Sequence, residues 1–430
     1  MIKKLFITAV ILISAIAPSP ARSNVYIDLS APSERRLPVA IREFRHKPAQ
    51  GAALPDDASK KIQKSLSEAL RGDLGFSGLF TIIDAPGEDG ADLKKCRASA
   101  ADALVAGEFS VEKDKLTVEV KLYDCVGGGE LLYRRYIGSA NNPARLIHYF
   151  ADHLYRELTG KKGIFSTRIL FVSDRTGNKE IYAADYDGGN VMQLTRNGHI
   201  NISPQWSPNG KKVIYVSYKS GTPGLYMLDM RSGSDSAVSA KVGINIGGRF
   251  SPDAGRIALT LSGEKSPEIY ILTLDTGDYR RITDNYAIDV SPSWSPDGSK
   301  IAYTSDISGN PHIFMVDLNE GKPKRLTYDG KYDSSPAWSP DGRSIAFSRS
   351  NGADFDIWVM DSTGGNERQL TFQGGNQSPS WSPDGRYIIY SGGNGAKTAL
   401  YIMQADGTSV RKIDAGGGNI SGPAWSPYMQ

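Results

Sequence analysis

Short apolar stretches alternate with turn signals through the second half of the chain. Residues 300–305 (Lys-Ile-Ala-Tyr-Thr-Ser) and 312–316 (His-Ile-Phe-Met-Val) are two such stretches, separated by a loop of Gly, Ser and Asn character. Their length and their content of β-branched and aromatic residues are typical of strands. Asp-Gly and Asn-Gly pairs mark tight turns between stretches, because these residues tolerate positive φ. The pattern predicts four short strands in each unit of roughly 44 residues.

One motif, Ser-Pro-x-Trp-Ser-Pro followed by Asp-Gly or Asn-Gly, recurs in this region. It occurs in full, weakened or shortened form at residues 203–210, 248–255, 291–298, 335–342, 378–385 and 422–427. Its aromatic position returns every 43 or 44 residues, at Trp206, Phe250, Trp294, Trp338, Trp381 and Trp425. A four-stranded unit with this period is the blade of a β-propeller, so six copies predict six blades. We interpret the repeated aromatic residue as packing between blades and not as a ring that stacks on a ligand.

The two ends of the repeat region indicate how the ring closes. It opens at residues 168–173 with a second strand that has no first strand before it, and it finishes at 422–427 with a first strand that has nothing after it. One blade is therefore predicted to take three strands from residues 167–196 and its innermost strand from the C-terminal end. Such closure removes exposed sheet edges. The propeller is predicted to span residues 161–430.

Residues 24–160 contain neither Trp nor the repeat, and they predict a separate α/β domain. Strands are expected at 37–41 and 79–83, and an antiparallel meander over 103–111, 115–123 and 130–137. A helix capped by Asp56 or Asp57 carries apolar residues at helical spacing, at Ile62, Leu66, Ala69 and Leu70. The fold class is thus an α+β N-terminal domain followed by an all-β six-bladed β-propeller.

Two further helices complete the predicted N-terminal domain. A short helix is expected near 91–100, and a longer one starts at Asn142-Pro143 and stops at Gly160, with an N-cap, a proline at the first position and a terminal glycine. We expect a sheet covered by helices on one face. Residues 24–36 form a short strand-like piece followed by a polar tail, which suits pairing with a partner's sheet edge.

The first 23 residues have the pattern of a secretory signal. Lys3 and Lys4 precede an apolar run over 5–17, and small residues follow, so we expect cleavage after Ala21 or Ser23 and export to the periplasm. The apolar run is too short for a bilayer core of about 30 Å. We expect no later membrane helix and no lipid anchor at this end.

The net charge limits the classes of partner, and the two cysteines raise the question of a disulfide. The formal net charge is +3, and residues 1–23 carry three basic and no acidic residues, so the remainder is neutral. Neutrality argues against nucleic acid as a partner. Cys96 and Cys125 are the two cysteines. An oxidising compartment favours a disulfide between them, and two buried free thiols are the alternative.

The sequence carries no recognisable catalytic motif. It has no Gly-x-Ser-x-Gly elbow, no His-Glu-x-x-His, no Cys-x-x-Cys and no phosphate-binding glycine loop. The five histidines are scattered, and His148 and His153 sit five apart on one predicted helix, a poor spacing for two metal ligands. We expect a non-enzymatic protein without a cofactor. An exported propeller enzyme, such as a lyase or a peptidase-like hydrolase, is the alternative.

One position in the repeat is a candidate for binding. Five residues before each motif aromatic, where one blade crosses to the next, short polar residues recur at Asn201, Asn245, Asp289, Asp333 and Asn376, with Asn419 beside Ile420 in the last copy. A ring of amides and carboxylates at one mouth of the channel suits an inserted peptide backbone or a hard cation. Asn and Asp that simply form turns are the alternative. The loops between second and third strands open on the same mouth and add Thr304, Asp306 and Arg349.

The whole chain resembles the TolB family, periplasmic proteins of the Tol–Pal envelope system. The resemblance rests on the signal, residues 26–29 followed by 37–41, the α/β domain, the six-fold repeat and the ending at 424–428 (Ala-Trp-Ser-Pro-Tyr). The order of these parts is more specific than the repeat alone. The copy at 248–255, which follows Asn245, departs from the pattern at Arg249 and Phe250.

The resemblance implies partners and sites. It implies that the propeller mouth binds the peptidoglycan-associated lipoprotein Pal, and residues 304–306 match a family segment there. It also implies that the N-terminal strand contacts TolA, through Val25, Tyr26, Ile27 and Asp28, and that the two events are coupled. Such proteins support outer-membrane invagination at division, and some are used by colicins. Contact with the membrane is expected only through partners. A third class, a pure cell-wall glycan binder, would need exposed aromatics at the mouth, for which Tyr286 and Tyr332 are candidates.

Overall fold

The computed structural model describes residues 36–48, 55–85, 93–263, 265–393 and 397–429. These residues form an α/β unit built on one mixed sheet, followed by six four-stranded sheets. The predicted fold class is therefore confirmed. No helix within the described ranges is long and apolar enough to cross a membrane. The predicted signal, its cleavage site and the four N-terminal binding residues 25–28 lie outside the described residues.

The first unit has six strands and three helices among the described residues. They are β1 (Leu37–Ile41), β2 (Arg45–His46), α1 (Asp56–Ser77), β3 (Phe80–Asp84), α2 (Leu93–Ala98), β4 (Ala103–Glu112), β5 (Lys115–Asp124), β6 (Glu130–Ser139) and α3 (Pro143–Thr159). The sheet order is β3-β1-β4-β5-β6, with β2 added beside β4. Strand β1 runs parallel to β3 and β4, and β4, β5 and β6 form the predicted antiparallel meander.

Helices cover both faces of this sheet, although the sequence predicted cover on one face. Val39 and Ile41 of β1 belong to the large core that α1 and α3 complete. Ala40 points to the other face, because neighbouring side chains alternate along a strand, and there it shares a small cluster with Cys96 of α2. Cys96 is disulfide-bonded to Cys125, just after β5, which confirms the predicted pairing.

Helix α3 ends at Gly160 as the sequence predicts, but α1 begins differently from the prediction. Gly78 and Gly160 end α1 and α3 in left-handed conformations (φ 71° each), which glycine adopts without steric cost. The N-cap of α1 is Pro55, so the prediction that Asp56 or Asp57 caps this helix is wrong. Both acids lie in the first turn, where their charge favours the positive end of the helix dipole.

Twenty-four strands of the described chain build the six blades. The first three are β7 (Arg168–Ser173), β8 (Glu180–Asp185) and β9 (Met192–Gln193). Four complete quartets follow: β10 (Asn201–Trp206), β11 (Lys212–Ser217), β12 (Gly224–Asp229), β13 (Asp235–Ser239); β14 (Asn245–Phe250), β15 (Arg256–Leu261), β16 (Glu268–Thr273), β17 (Tyr279–Arg281); β18 (Asp289–Trp294), β19 (Lys300–Ser305), β20 (His312–Asp317), β21 (Pro323–Arg325); β22 (Tyr332–Trp338), β23 (Ser344–Ser350), β24 (Phe355–Asp361), β25 (Arg368–Gln369). The last quartet is β26 (Gln377–Trp381), β27 (Tyr387–Gly392), β28 (Ala399–Gln404) and β29 (Arg411–Ile413), and β30 (Ile420–Trp425) ends the series.

Strand β30 closes the ring, as the sequence predicts. It pairs with β7 in a sheet of order β30-β7-β8-β9. The Ser426 amide donates to the carbonyl of Arg168 at 2.8 Å, and the indole of Trp425 donates to the hydroxyl of Thr167 at 2.9 Å. Pairing of the two ends of the propeller leaves neither β7 nor β30 with an open edge on this side.

The motif turn is an Asx turn built from the predicted Asp-Gly pair. Asp297 accepts hydrogen bonds from the Ser295 hydroxyl at 2.6 Å and the Ser299 amide at 3.0 Å, and these bonds lower its pKa to about 2. Gly298 follows with φ 70°. The same turn in four other copies uses Asn209, Asp253, Asp341 and Asp384.

The two units share one hydrophobic core. Leu70 and Leu74 of α1 belong to the same cluster as Tyr387 and Trp425 of the propeller. Phe76 stacks on Tyr387 with ring centroids 4.5 Å apart. Because the apolar contact is continuous across the junction, the α/β unit is held against one end of the ring rather than tethered to it.

A buried polar cluster lies within this junction. Asp73 of α1 accepts a hydrogen bond from the hydroxyl of Tyr186 at 2.7 Å, and His148 of α3 places Nδ1 2.8 Å from its second oxygen. Arg145 pairs with the buried Asp185. His148, which the sequence did not connect with any other residue, thus binds Asp73 at the junction between the two units.

Candidate functional site

All six blade-to-blade crossings meet at one end of the propeller, which we call the mouth. Strands within a blade are antiparallel, so the crossing segments and the loops between second and third strands share this end. The crossing segments are 194–200, 240–244, 282–288, 326–331, 370–376 and 414–419. The turns that contact the α/β unit, at Tyr186 and Arg386, lie at the opposite end. The mouth therefore faces away from the α/β unit.

The predicted polar ring lies at the mouth, but most of its side chains are buried. Asn201, Asn245, Asp289, Asp333 and Asn376 are buried, whereas Asn419 is exposed. Asn245 donates to the carbonyls of Lys241 at 2.7 Å and Gly243 at 3.1 Å, inside its own crossing segment. These bonds are of the kind expected for the turn-forming alternative.

Asp333 and Arg349 form a buried ion pair. The guanidinium donates to both carboxylate oxygens, at 2.7 and 3.1 Å, and also pairs with Glu367. His312 adds its Nδ1 3.2 Å from Asp333. The arginine also lies over the Trp358 ring at 4.7 Å. With its donors used internally, Arg349 holds the crossing in place.

Two more predicted residues lie near the mouth end of β19, Thr304 in the strand and Asp306 in the loop that follows it. Thr304 is buried, and its hydroxyl has no hydrogen bond to the described residues. Asp306 is partly exposed and accepts a hydrogen bond from the Ile288 amide at 2.7 Å. Asp306 thereby ties this loop to the adjoining crossing segment and fixes how Ile288 is presented.

Asn419 serves the closing blade. Its backbone N–H donates to Asp174 Oδ1 at 2.7 Å, and its side-chain Nδ2 donates to Asp174 Oδ2 at 2.9 Å. These two bonds lower the pKa of Asp174. The pair links the last crossing to the loop after β7 on the exposed rim of the mouth.

Large apolar side chains project into solvent around the mouth, and we call them the apolar arc. They are Ile200, Val242, Tyr286, Ile288, Ile307, Tyr328, Tyr332 and Phe372. Tyr286 is fully exposed and Phe372 is 74 % exposed. Single exposed apolar residues are ordinary, but a concentration at one end of a protein marks an interaction surface. The arc stops at the closing blade, whose crossing carries three glycines at 416–418.

Sequence reasoning found only two members of the arc, Tyr286 and Tyr332. The others lie in crossing segments or in the loop after β19, directly beside the polar positions that the repeat singled out. The signal was an apolar residue in a segment that would otherwise be polar. An alignment of the repeats does not reveal this signal, because the apolar residues occupy different positions in different crossing segments.

The channel wall begins below this ring with a bulge in each inner strand. The register shifts within all six pairs of first and second strands. The bulged position has positive φ in every copy, at Ser203, Gly247, Ser291, Ser335, Ser378 and Gly422. Beyond the bulges the inner strands surround a cavity of about 530 Å³ lined by Ser, Pro and Trp of the motif. The motif aromatics also pack between blades as predicted, with Trp206 beside Leu170 and Val172.

The arrangement of possible metal ligands can be stated for the parts of the chain that the structure describes. Within them, no three His, Cys, Asp or Glu side chains come together in an arrangement for a metal ion. His153 hydrogen-bonds to the hydroxyl of Tyr136 at 3.0 Å, and His148 belongs to the junction between units. The two histidines of α3 therefore do not act together.

Two family models match the chain. The TolB amino-terminal domain matches residues 25–131, and the TolB beta propeller domain matches residues 155–429. The second match alone covers more than half of the chain. Together they follow the division into an α/β unit and a propeller.

Curated relatives and a solved structure give the same result. Tol-Pal system protein TolB of Geobacter sulfurreducens is 36% identical over 212 residues, 47% of this chain and 48% of the relative. That of Syntrophotalea carbinolica is 40% identical over 214 residues, again 47% and 48%. The chain thus spans about half the length of the curated relatives it matches. The crystal structure of TolB from Acinetobacter baumannii is 28% identical, with a TM-score of 0.76 over 92% of this chain and 98% of that chain. These names agree with the expectation of a non-enzymatic protein.

Proposed function

The chain belongs to the TolB family of Tol–Pal system proteins, and we propose that it works in the periplasm as a scaffold that binds other proteins of that system. Pal binds at the mouth of the propeller, and TolA binds through the N-terminal segment that contains residues 25–28. Through these contacts the protein supports outer-membrane integrity and constriction at cell division. The proposal requires no cofactor.

The apolar arc is the observation that carries this proposal. Eight large apolar side chains surround the mouth, and Tyr286 stands fully in solvent. Aromatic residues of this kind supply most of the binding energy in protein interfaces, because they bury a large area at low entropic cost. The mouth faces away from the α/β unit, so a partner reaches it without displacing that unit.

The buried polar ring gives this surface its shape. Asn201, Asn245 and Asn376 close their crossing segments through internal hydrogen bonds, and Asp306 holds the backbone at Ile288. A surface fixed in this way loses little conformational freedom on binding. The ring residues therefore support Pal binding by positioning the arc, and Asn419 and Asp306 are the predicted site residues that remain accessible to a partner.

TolA binding rests on the N-terminal segment. An extended segment of alternating character, such as residues 25–28, suits addition to a partner's sheet edge. Coupling between the two partners requires that Pal bind two states of this segment unequally. Deletion of residues 24–35 should abolish TolA binding and leave Pal binding intact. A truncated protein that still captures purified TolA would refute this part of the proposal.

A glycan-binding function is the second candidate, and the exposed aromatics favour it. Tyr286, Tyr328, Tyr332 and Phe372 offer flat rings of the kind on which sugars stack. Co-sedimentation of the mature protein with purified peptidoglycan separates the two candidates from each other. The scaffold proposal expects capture of purified Pal and no sedimentation with glycan that has been stripped of protein. Sedimentation with stripped glycan, and no capture of Pal, would support the second candidate instead.

A further inference from the structure

Arg249 interrupts the neutral lining of the propeller channel. It occupies the variable position of the motif, directly before the aromatic residue Phe250. The same position in the other copies carries an uncharged residue, namely Gln205, Ser293, Ala337, Ser380 and Ala424. The other five blades pack without a charged residue at this position, so blade packing does not explain the arginine.

The cavity around Arg249 is lined by polar and apolar groups and is otherwise uncharged. It measures about 530 Å³, within the usual range of small-molecule and peptide sites. Ser hydroxyls, Pro rings and the edges of four Trp rings line it, and Arg249 is the one charged side chain among the described residues of the lining. Gln205 and Ser293 occupy the matching positions on the two neighbouring inner strands.

The guanidinium has no partner in the part of the chain that the structure describes. Only its backbone is bonded, where the carbonyl accepts from the indole of Trp294 at 3.1 Å. Arg249 is partly buried in the channel, and this partial burial lowers its pKa to about 10, with no nearby carboxylate to counteract the shift. By contrast, Arg349 is buried at the mouth and is held by two carboxylates.

A cation that lines a cavity and has no counter-charge attracts an anion. A ligand carboxylate that accepts two N–H bonds from the guanidinium forms a charge-assisted pair of defined geometry. We propose that the channel binds a carboxylate ligand on Arg249, with Gln205 and Ser293 as neutral donors beside it. The carboxylate belongs either to a free small acid or to an acidic side chain of a peptide inserted into the channel.

This site is separate from the arc at the mouth. Arg249 lies beyond the bulge at Gly247, on the part of the inner strand that runs toward the opposite end of the propeller. Loss of carboxylate binding therefore leaves the mouth surface intact. The outcome does not depend on whether Pal is the partner at the mouth.

Trp fluorescence provides a direct test, because Trp294, Trp338, Trp381 and Trp425 line the cavity. Iodide is an anionic quencher and acrylamide a neutral one. In the mature wild-type protein, iodide should quench these residues more strongly than in R249Q, which places in this copy the residue of its neighbour Gln205. Acrylamide should quench both proteins equally. R231Q, which removes an exposed arginine, is the control for net charge and should behave as wild type.

Titration with two carboxylates then identifies the source. Glutarate and the blocked peptide acetyl-Gly-Glu-Gly-amide are added to wild type and R249Q at constant ionic strength. Saturable fluorescence change by either probe, with a dissociation constant about tenfold or more higher in R249Q, supports the site. Binding of glutarate alone assigns a free acid, and binding of the peptide alone assigns an inserted chain. If neither probe saturates, or if R249Q binds as well as wild type, the proposal is overturned.

Discussion

Asn201 donates a hydrogen bond from Nδ2 to Glu180 Oε2 at 2.8 Å across the first blade crossing. The corresponding residues two blades later are Asp289 and Glu268. Both are carboxylates, and Asp289 Oδ1 and Glu268 Oε2 are buried without a hydrogen bond to the described residues. One crossing of the ring thus lacks the donor that its sister crossing has.

The first prediction is that Asp289→Asn stabilises the propeller at neutral pH. An amide at this position can donate to Glu268 as Asn201 does to Glu180, and we expect a gain of about 1 kcal/mol in the free energy of unfolding. Burial raises the pKa of Asp289, and the charge of Glu268 adds to this. A raised pKa means that the wild type loses stability as pH rises, so the gain should be larger at pH 8 than at pH 5.

Asn201→Asp is the matched control for this prediction. It places a second carboxylate beside Glu180 and should destabilise the protein, again more at pH 8 than at pH 5. Urea unfolding followed by Trp fluorescence measures both variants. A less stable Asp289→Asn at both pH values would show that the two crossings are not equivalent.

The second prediction concerns the junction between the units. Burial works to lower the pKa of His148, but Asp73, Asp187 and Asp185 outweigh it and raise the pKa to about 9. Burial also raises the pKa of Asp73, so the folded pair holds its proton more tightly than the unfolded chain does. The resulting stability is present below pH 6.5 and is lost as pH rises toward about 9, by about 3 kcal/mol.

His148→Gln should flatten this pH dependence in thermal unfolding measured from pH 6 to pH 9.5. His153→Gln is the control on the same helix, because its ring bonds to Tyr136 and the Tyr149 carbonyl rather than to a carboxylate. It should follow the wild-type curve. An unchanged slope in His148→Gln would assign the pH dependence to other groups.

The third prediction is that the disulfide stabilises the α/β unit. Cys96 and Cys125 are buried and close a loop with a sequence separation of 29. Loop closure of this length contributes about 3–4 kcal/mol in the chain-entropy model. Urea unfolding of Cys96→Ala plus Cys125→Ala should show that loss, and reductant should lower the wild type to the same level. Equal midpoints for the oxidised wild type and the double variant would contradict this.

The fourth prediction separates stability from binding at Asp333. Asp333→Ala leaves Arg349 buried beside Glu367 alone, and we expect a loss of about 3 kcal/mol in the free energy of unfolding. Reduced Pal binding in that variant would therefore be ambiguous. Asp306→Ala is the better probe of the same end of the propeller, since it removes one partly exposed contact and should unfold near the wild-type midpoint.

The propeller was predictable from sequence because the residues that form each blade recur in every repeat. Trp206 and its five counterparts recur at a near-constant period, and all but Trp425 are followed by a turn that contains Asp or Asn and Gly. The closure by β30 followed from an unmatched strand at each end of the region. The long helices were equally clear, since Ile62, Leu66 and Leu70 share one face.

The features that sequence reasoning missed depend on contacts between distant residues. The polar ring is periodic, but whether Asn201 faces a partner or Glu180 depends on the neighbouring strand. The second face of the sheet is covered because the disulfide holds α2 there, and the shared core of Leu70 with Tyr387 joins residues more than 300 positions apart. Pro55 could replace Asp56 as the N-cap because the chain enters α1 in an extended conformation (ψ 141°).

The central claim is that a partner protein docks on the apolar arc. The most direct measurement is calorimetric titration of the soluble part of Pal into three proteins: wild type, Tyr286→Ser plus Phe372→Ser, and Val410→Ser. Val410 is also exposed but lies in the turn before β29, at the opposite end of the propeller. We expect the double variant to bind at least about thirtyfold more weakly, with Val410→Ser equal to wild type and all three equally stable. Equal affinity for all three proteins would contradict docking on the arc.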